Sequence, residues 1–276
     1  MSDQNEDLYL VPYDFTHVTE EALQYALKLS HIGGGKVLLG HIVKNEDDVL
    51  TAELKLEKVL KNLKDADQEK VSYKVMVGNI FEDLDKIGDL TGASVIVMGT
   101  HGVTGFQKLF GSNALKVVSS SSIPFIITQE DQKTDKIENI VLPFSYAKES
   151  VQVTQFAASL AEKYNAAIHL VGYRDKDEWL LRDMKTNEVV MRKHLTQHNV
   201  KHDIIKLPGK ESYETELMNY VKESGADLIA AAYFSQGIKS IFHSFLESMI
   251  TNDHKIPVIT INAPDVMSVS GSFLTV

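Results

Sequence analysis

Short apolar runs alternate with amphipathic stretches along the whole chain. Leu8-Tyr9-Leu10-Val11 reads as a buried strand ending at Pro12-Tyr13-Asp14, and Ala22, Leu23, Ala26, Leu27 and Leu29 then recur at helical spacing over Thr19 to Leu29. Gly33-Gly34-Gly35 stops that helix, and Val37 to Val43 forms the next apolar run. A charged helix is expected over Val49 to Ala66, a strand over Val71 to Val77 and a helix over Ile80 to Thr91. Ala93 to Met98 is apolar throughout, as in a strand covered on both faces. A further helix is expected to start near Ser112, capped by Ser112 or Asn113, and Ile123-Pro124-Phe125-Ile126-Ile127 is the last strand of this half. Strands alternating with helices imply right-handed crossovers and a mostly parallel sheet, an α/β fold.

The same plan then repeats. Val11-Pro12-Tyr13-Asp14 is matched by Leu142-Pro143-Phe144-Ser145, an offset of 131 residues from Pro12 to Pro143. The offset has drifted to only 133 where Ile123-Pro124-Phe125-Ile126 meets Ile256-Pro257-Val258-Ile259, measured from Pro124 to Pro257. So small a drift over a whole half indicates duplication, and the period is far longer than the roughly 20–50 residues of a solenoid repeat. Two tandem doubly wound parallel-sheet domains are therefore expected, 1–130 and 137–265, with a tail over 266–276 and the polar stretch Gln129 to Glu138 as linker. The terminal strands, Ile123 to Thr128 and Ile256 to Ile261, each carry a proline near the start, which suits edges. Bare apolar edges invite pairing, so the halves are expected to join through them as an internal pseudo-dimer. A homodimer of whole chains and an unidentified protein partner are further expectations.

Composition removes several classes of function. With 28 basic against 38 acidic residues the formal charge is −10, which disfavours nucleic acid and anionic membranes. There is no cysteine, so disulfides, thiolate-bound metals and thiol nucleophiles are excluded. Neither a basic, apolar leader at the start nor an apolar run of about 18 residues is present, which points to a cytoplasmic protein.

Candidate chemistry concentrates in Met98-Gly99-Thr100-His101-Gly102 and in Gly111-Ser112-Asn113. These follow an apolar strand and lead into a helix, where open parallel sheets bind ligands. Glycines let backbone N–H groups approach a phosphate, and a helix start adds free donors. The same glycines serve equally for chain reversal. His101 is either an acid–base group for phosphoryl chemistry or a ligand contact. Asp14 is either a ligand contact or a cap for the helix that follows.

Asp14 after the first strand, Val77-Gly78 after the third, and Gly-x-x-Gly followed by Gly-Ser after the fourth resemble the universal stress protein family, once per half. The resemblance implies a Rossmann-like domain binding ATP or another adenine nucleotide, with or without Mg. By position it implicates Pro12, Tyr13, Asp14, Ile42, Met98, Gly99, His101, Gly102, Gly111, Ser112 and Asn113. It implies an aspartate at the adenine, the first glycines along ribose and phosphates, and the Gly-Ser pair on the outer phosphates. The family's binding pattern has nine residues between its second glycine and Gly-Ser, whereas Val103 to Phe110 number eight.

The second half departs further, since Ser145, Ala232, Ser235 and His243 stand where Asp14, Gly99, Gly102 and Gly111 do in the first. It reads as a domain without nucleotide chemistry. Gly33-Gly34-Gly35-Lys36 is no P-loop, because it follows a helix, precedes a strand and lacks the required Ser or Thr, Val37 standing there instead. His194, His198 and His202 share a four-residue spacing, but the helix is expected to end at Asn199-Val200-Lys201, which leaves no metal site. No base, arginine finger or acidic metal cluster is evident, so the expected function is stress response through nucleotide-dependent association, with at most weak ATP hydrolysis. The alternatives are an interaction protein of the same fold with empty pockets and, last, an adenylating ligase, whose serine-glycine loop is replaced here by Pro12 to Thr16.

Overall fold

The computed structural model describes residues 6–100, 110–132, 136–146, 149–173, 177–233 and 239–262. The first half runs β1 (Leu8–Pro12), α1 (His17–Gly33), β2 (Lys36–Val43), α2 (Val49–Asn62), α3 (Asp65–Gln68), β3 (Val71–Val77), α4 (Ile80–Thr91), β4 (Val95–Thr100), α5 (Phe110–Ser120) and β5 (Phe125–Gln129). The second runs β6 (Asn139–Pro143), α6 (Glu149–Tyr164), β7 (Ala167–Gly172), α7 (Glu178–Gln197), β8 (His202–Lys206), α8 (Tyr213–Glu223), β9 (Leu228–Ala230), α9 (Lys239–Ile250) and β10 (Val258–Thr260).

The ten strands of the described residues form one sheet, in the order β3-β2-β1-β4-β5-β10-β9-β6-β7-β8. Within each half the strands are parallel, and the halves meet where β5 and β10 pair antiparallel, Val258 opposite Ile127 and Thr260 opposite Phe125. An apolar core lies on each face, and each draws side chains from both halves. Gln129 closes β5 as a buried residue rather than opening the linker, its amide donating to the Asn252 carbonyl at 3.0 Å.

The join is also polar on the α1–α6 side. Tyr9 and Tyr164 hydroxyls are 3.0 Å apart, and Lys163 forms an ion pair with Asp7. Burial pulls the Lys163 ammonium down to about 8. Gly33 closes α1 without a Cβ because one would lie 2.4 Å from the Lys163 side chain and 2.8 Å from the Tyr164 ring.

Two helix boundaries differ from the sequence expectation. The charged helix expected through Ala66 ends at Asn62, because Leu63 turns extended and α3 follows as a separate turn. The Gln68 amide takes the freed Leu63 carbonyl at 2.8 Å, so the break leaves that acceptor satisfied. The helix expected to start at Ser112 starts at Phe110, which places Gly111, Ser112 and Asn113 inside its first turn instead of at its cap. A first turn tolerates glycine and serine because its N–H groups have no intrahelical partners to lose.

Candidate functional site

The first half reverses strand order between β1 and β4, and a crevice at the carboxyl ends of parallel strands follows from that topology. β1 delivers Pro12, Tyr13 and Asp14 there, β2 delivers Ile42, β4 delivers Met98 and Gly99, and the first turn of α5 carries Gly111, Ser112 and Asn113. His101 and Gly102, with the rest of 101–109, lie outside the described residues.

Asp14 is exposed and builds the entry to α1. Its Oδ1 accepts hydrogen bonds from the Thr16 N–H at 3.0 Å, the Thr16 hydroxyl at 2.5 Å and the Thr19 hydroxyl at 3.1 Å. Oδ2 has no bond among the described residues. The turn it caps holds Phe15 at φ 68°, in the left-handed region a bulky side chain rarely adopts. Tyr13 is buried and donates its hydroxyl to Glu20 at 2.7 Å, and burial, then that carboxylate, pushes its pKa up. Its carbonyl takes the His41 Nδ1 proton at 2.6 Å, which fixes that imidazole's tautomer.

Beside this turn is a cavity of ≈ 320 Å³, whose walls include Phe15, His41, Ile42, Lys44, Asp48 and Lys55. The Phe15 ring lies 4.9 Å from that of His41, and the Lys55 ammonium is 5.6 Å above it. Among the described residues of the expected site, Ile42 alone lines this cavity. Phe15, His41, Lys44 and Lys55 were not singled out in the sequence, where Lys55 reads as part of a solvated helix face. The one signal for any of them is the apolar run Val37 to Val43, which puts His41 and Lys44 at the carboxyl end of a strand.

Gly99 has a structural reason of its own. A Cβ there would lie 2.3 Å from the Val18 carbonyl oxygen and 2.7 Å from Val18 Cγ1, so its bare Cα lets α1 settle on β4. Gly78 similarly makes room for the Asp83 carboxylate, which accepts the Asn79 N–H at 2.7 Å. Of the three histidines, His194 and His198 lie on α7 and at its end with rings 4.4 Å apart, while His202 opens β8. No set of three metal-ligating side chains occurs among the described residues. Trp179, at the start of α7, is 74% exposed. No described helix is long and apolar enough to cross a membrane.

The fold and the crevice define a class: tandem α/β domains of Rossmann-like type, joined edge to edge. Residues 9–129 match the universal stress protein family. A universal stress protein of Methanocaldococcus jannaschii is 24% identical over 151 residues, covering 44% of this chain and 93% of that protein. The crystal structure of a universal stress protein from Archaeoglobus fulgidus superposes with a TM-score of 0.73 at 17% identity, covering 95% of this chain and 100% of that one. A functionally unknown protein of Pseudomonas aeruginosa PAO1 superposes with a TM-score of 0.64 at 11% identity, covering 96% and 95%. The first half of the chain is thus similar in sequence to universal stress proteins, and the whole chain shares the fold of the Archaeoglobus protein.

Proposed function

We propose that the first half binds an ATP-like adenine nucleotide at the carboxyl ends of β1, β2 and β4, and that the chain acts in stress response through ligand-dependent association. What supports this reading is the topology: Asp14 follows β1, Ile42 stands near the end of β2 and α5 follows β4, where strand order reverses. The residues present fit such a ligand. Asp14 keeps one carboxylate oxygen without a bond among the described residues, a hydrogen-bond acceptor for an exocyclic amine. Ile42 offers an apolar wall, and Lys44 and Lys55 put positive charge at the cavity. The first turn of α5 supplies backbone N–H donors for phosphate oxygens.

Asp14, Ile42, the two lysines and the α5 turn are all groups that hold a ligand, so binding is the role assigned. Release of bound nucleotide by heat from the purified chain, followed by mass spectrometry, tests the proposal. An adenine nucleotide near one equivalent per chain supports it. Protein free of nucleotide that also fails to take up added ATP overturns it, and leaves an interaction protein of the same fold.

A further inference from the structure

The second half has an opening at the same topological position, and it is the larger of the two described cavities at ≈ 490 Å³. It lies at the carboxyl ends of β6, β7 and β9, where strand order again reverses. Its size is that of sites which enclose a small organic molecule.

Its walls are aromatic. Phe144 and Tyr146 follow β6, Tyr173 follows β7, Tyr213 opens α8 and Phe245 comes from α9. The Tyr213 and Phe245 rings are stacked at 5.8 Å with their planes 5° apart, and Tyr173 lies 4.7 Å from Tyr213. The Tyr213 hydroxyl is spent on the Val171 carbonyl at 2.8 Å, and burial pushes its pKa up, so it presents a neutral ring to the cavity.

Two positions show how this wall is built. Gly172 has no Cβ, and one there would lie 2.6 Å from the Phe144 ring, so the glycine seats that ring against β7. Ala231 and Ala232 form the floor after β9, and Ala232 stands where the first half has Gly99.

Three exchanges at the lining positions of this cavity run in one direction. Ser145 replaces Asp14, Tyr173 replaces Ile42, and at the offset that matches His243 with Gly111, Phe245 replaces Asn113. Each change removes charge or polarity, or adds aromatic surface. No lysine or arginine is among the described lining residues, and Glu214 puts a carboxylate there instead. That charge opposes a phosphate and does not oppose a neutral ring.

We infer that the second half is a binding site for an uncharged, flat, largely apolar small molecule, held by aromatic faces. Ser145, Ser150 and Ser212 add polar residues to the wall, as small-molecule sites carry beside their apolar surface. The two halves of the chain then take chemically unlike ligands on one sheet. This inference does not depend on nucleotide binding in the first half.

The test uses the full chain and N-phenyl-1-naphthylamine, an uncharged aromatic amine that fluoresces when it leaves water. Titration is expected to saturate near one probe per chain, with saturating ATP leaving the titration unchanged. Ala232→Leu fills the floor, and Gly172→Ala drives the Phe144 ring into the cavity. Each is expected to raise the dissociation constant at least about tenfold. Thermal melts show which variants are folded, and either folded variant suffices. A probe that does not saturate, is displaced by ATP, or binds both folded variants as tightly as the parent overturns the inference. The last result also identifies binding to exposed apolar surface such as Trp179.

Discussion

At the scale of the residue, Gly99 separates two roles that a glycine at a strand end can have. Its bare Cα is in contact with α1, where a Cβ would meet the Val18 carbonyl at 2.3 Å, and that atom is backbone that cannot swing aside. Gly99→Ala is therefore expected to destabilise the fold by about 1–3 kcal/mol, as overpacking does, whatever ligand is present. Urea unfolding without nucleotide checks this. An unchanged midpoint would mean that α1 yields freely and that the glycine serves the ligand alone. The sequence shows a glycine at the end of an apolar strand, but not whether its missing side chain faces a ligand or a helix. Phe15 is a similar case, since no local pattern announces a positive φ or a ring placed against His41 and under Lys55.

At the scale of the element, α8 shows how the second-half cavity is held. Ser212 caps the helix by accepting the Thr215 N–H at 3.2 Å. The Glu216 carboxylate accepts the N–H groups of Gly209, Lys210 and Glu211 at 2.9, 2.6 and 3.0 Å. Burial raises the Glu216 pKa, but these three donors together outweigh it and hold the carboxyl below its ordinary value. An acid depressed in the folded state contributes stability above its unfolded pKa and loses that contribution as pH falls through the folded value. The loss is thus expected below about pH 4.5. Unfolding midpoints measured from about pH 6 to about pH 3 should fall less steeply for Glu216→Gln than for the parent. Parallel curves would show that the loop over Gly209 to Glu211 does not depend on this charge.

Elements with a clean period were readable in the sequence, and α4 and β3 lie where the pattern puts them. The break between α2 and α3 was not readable, because Leu63 continues the amphipathic pattern while its backbone leaves it. The aromatic cavity was hidden for another reason. Its five rings come from segments after β6 and β7 and from α8 and α9, and they meet only once the sheet has formed.

At the scale of the whole molecule, β5 and β10 are what make two halves one sheet. Phe125, Ile126 and Ile127 are buried there, and an excised first half would present them as an unpaired apolar edge. Residues 1–130 produced alone are expected to dimerise through β5, as seen by size exclusion with light scattering. A stable monomer would show that the edge is covered by other means. The central claim is that this sheet carries a nucleotide site in the first half and a site of different chemistry in the second. Calorimetric titration of the full chain with ATP, repeated with adenosine and with Asp14→Ala, tests it most directly. One equivalent of ATP per chain is expected, with weaker binding of adenosine for want of phosphates at α5 and weaker binding of ATP by Asp14→Ala. Two equivalents of ATP per chain, or no binding at millimolar ATP, would contradict it.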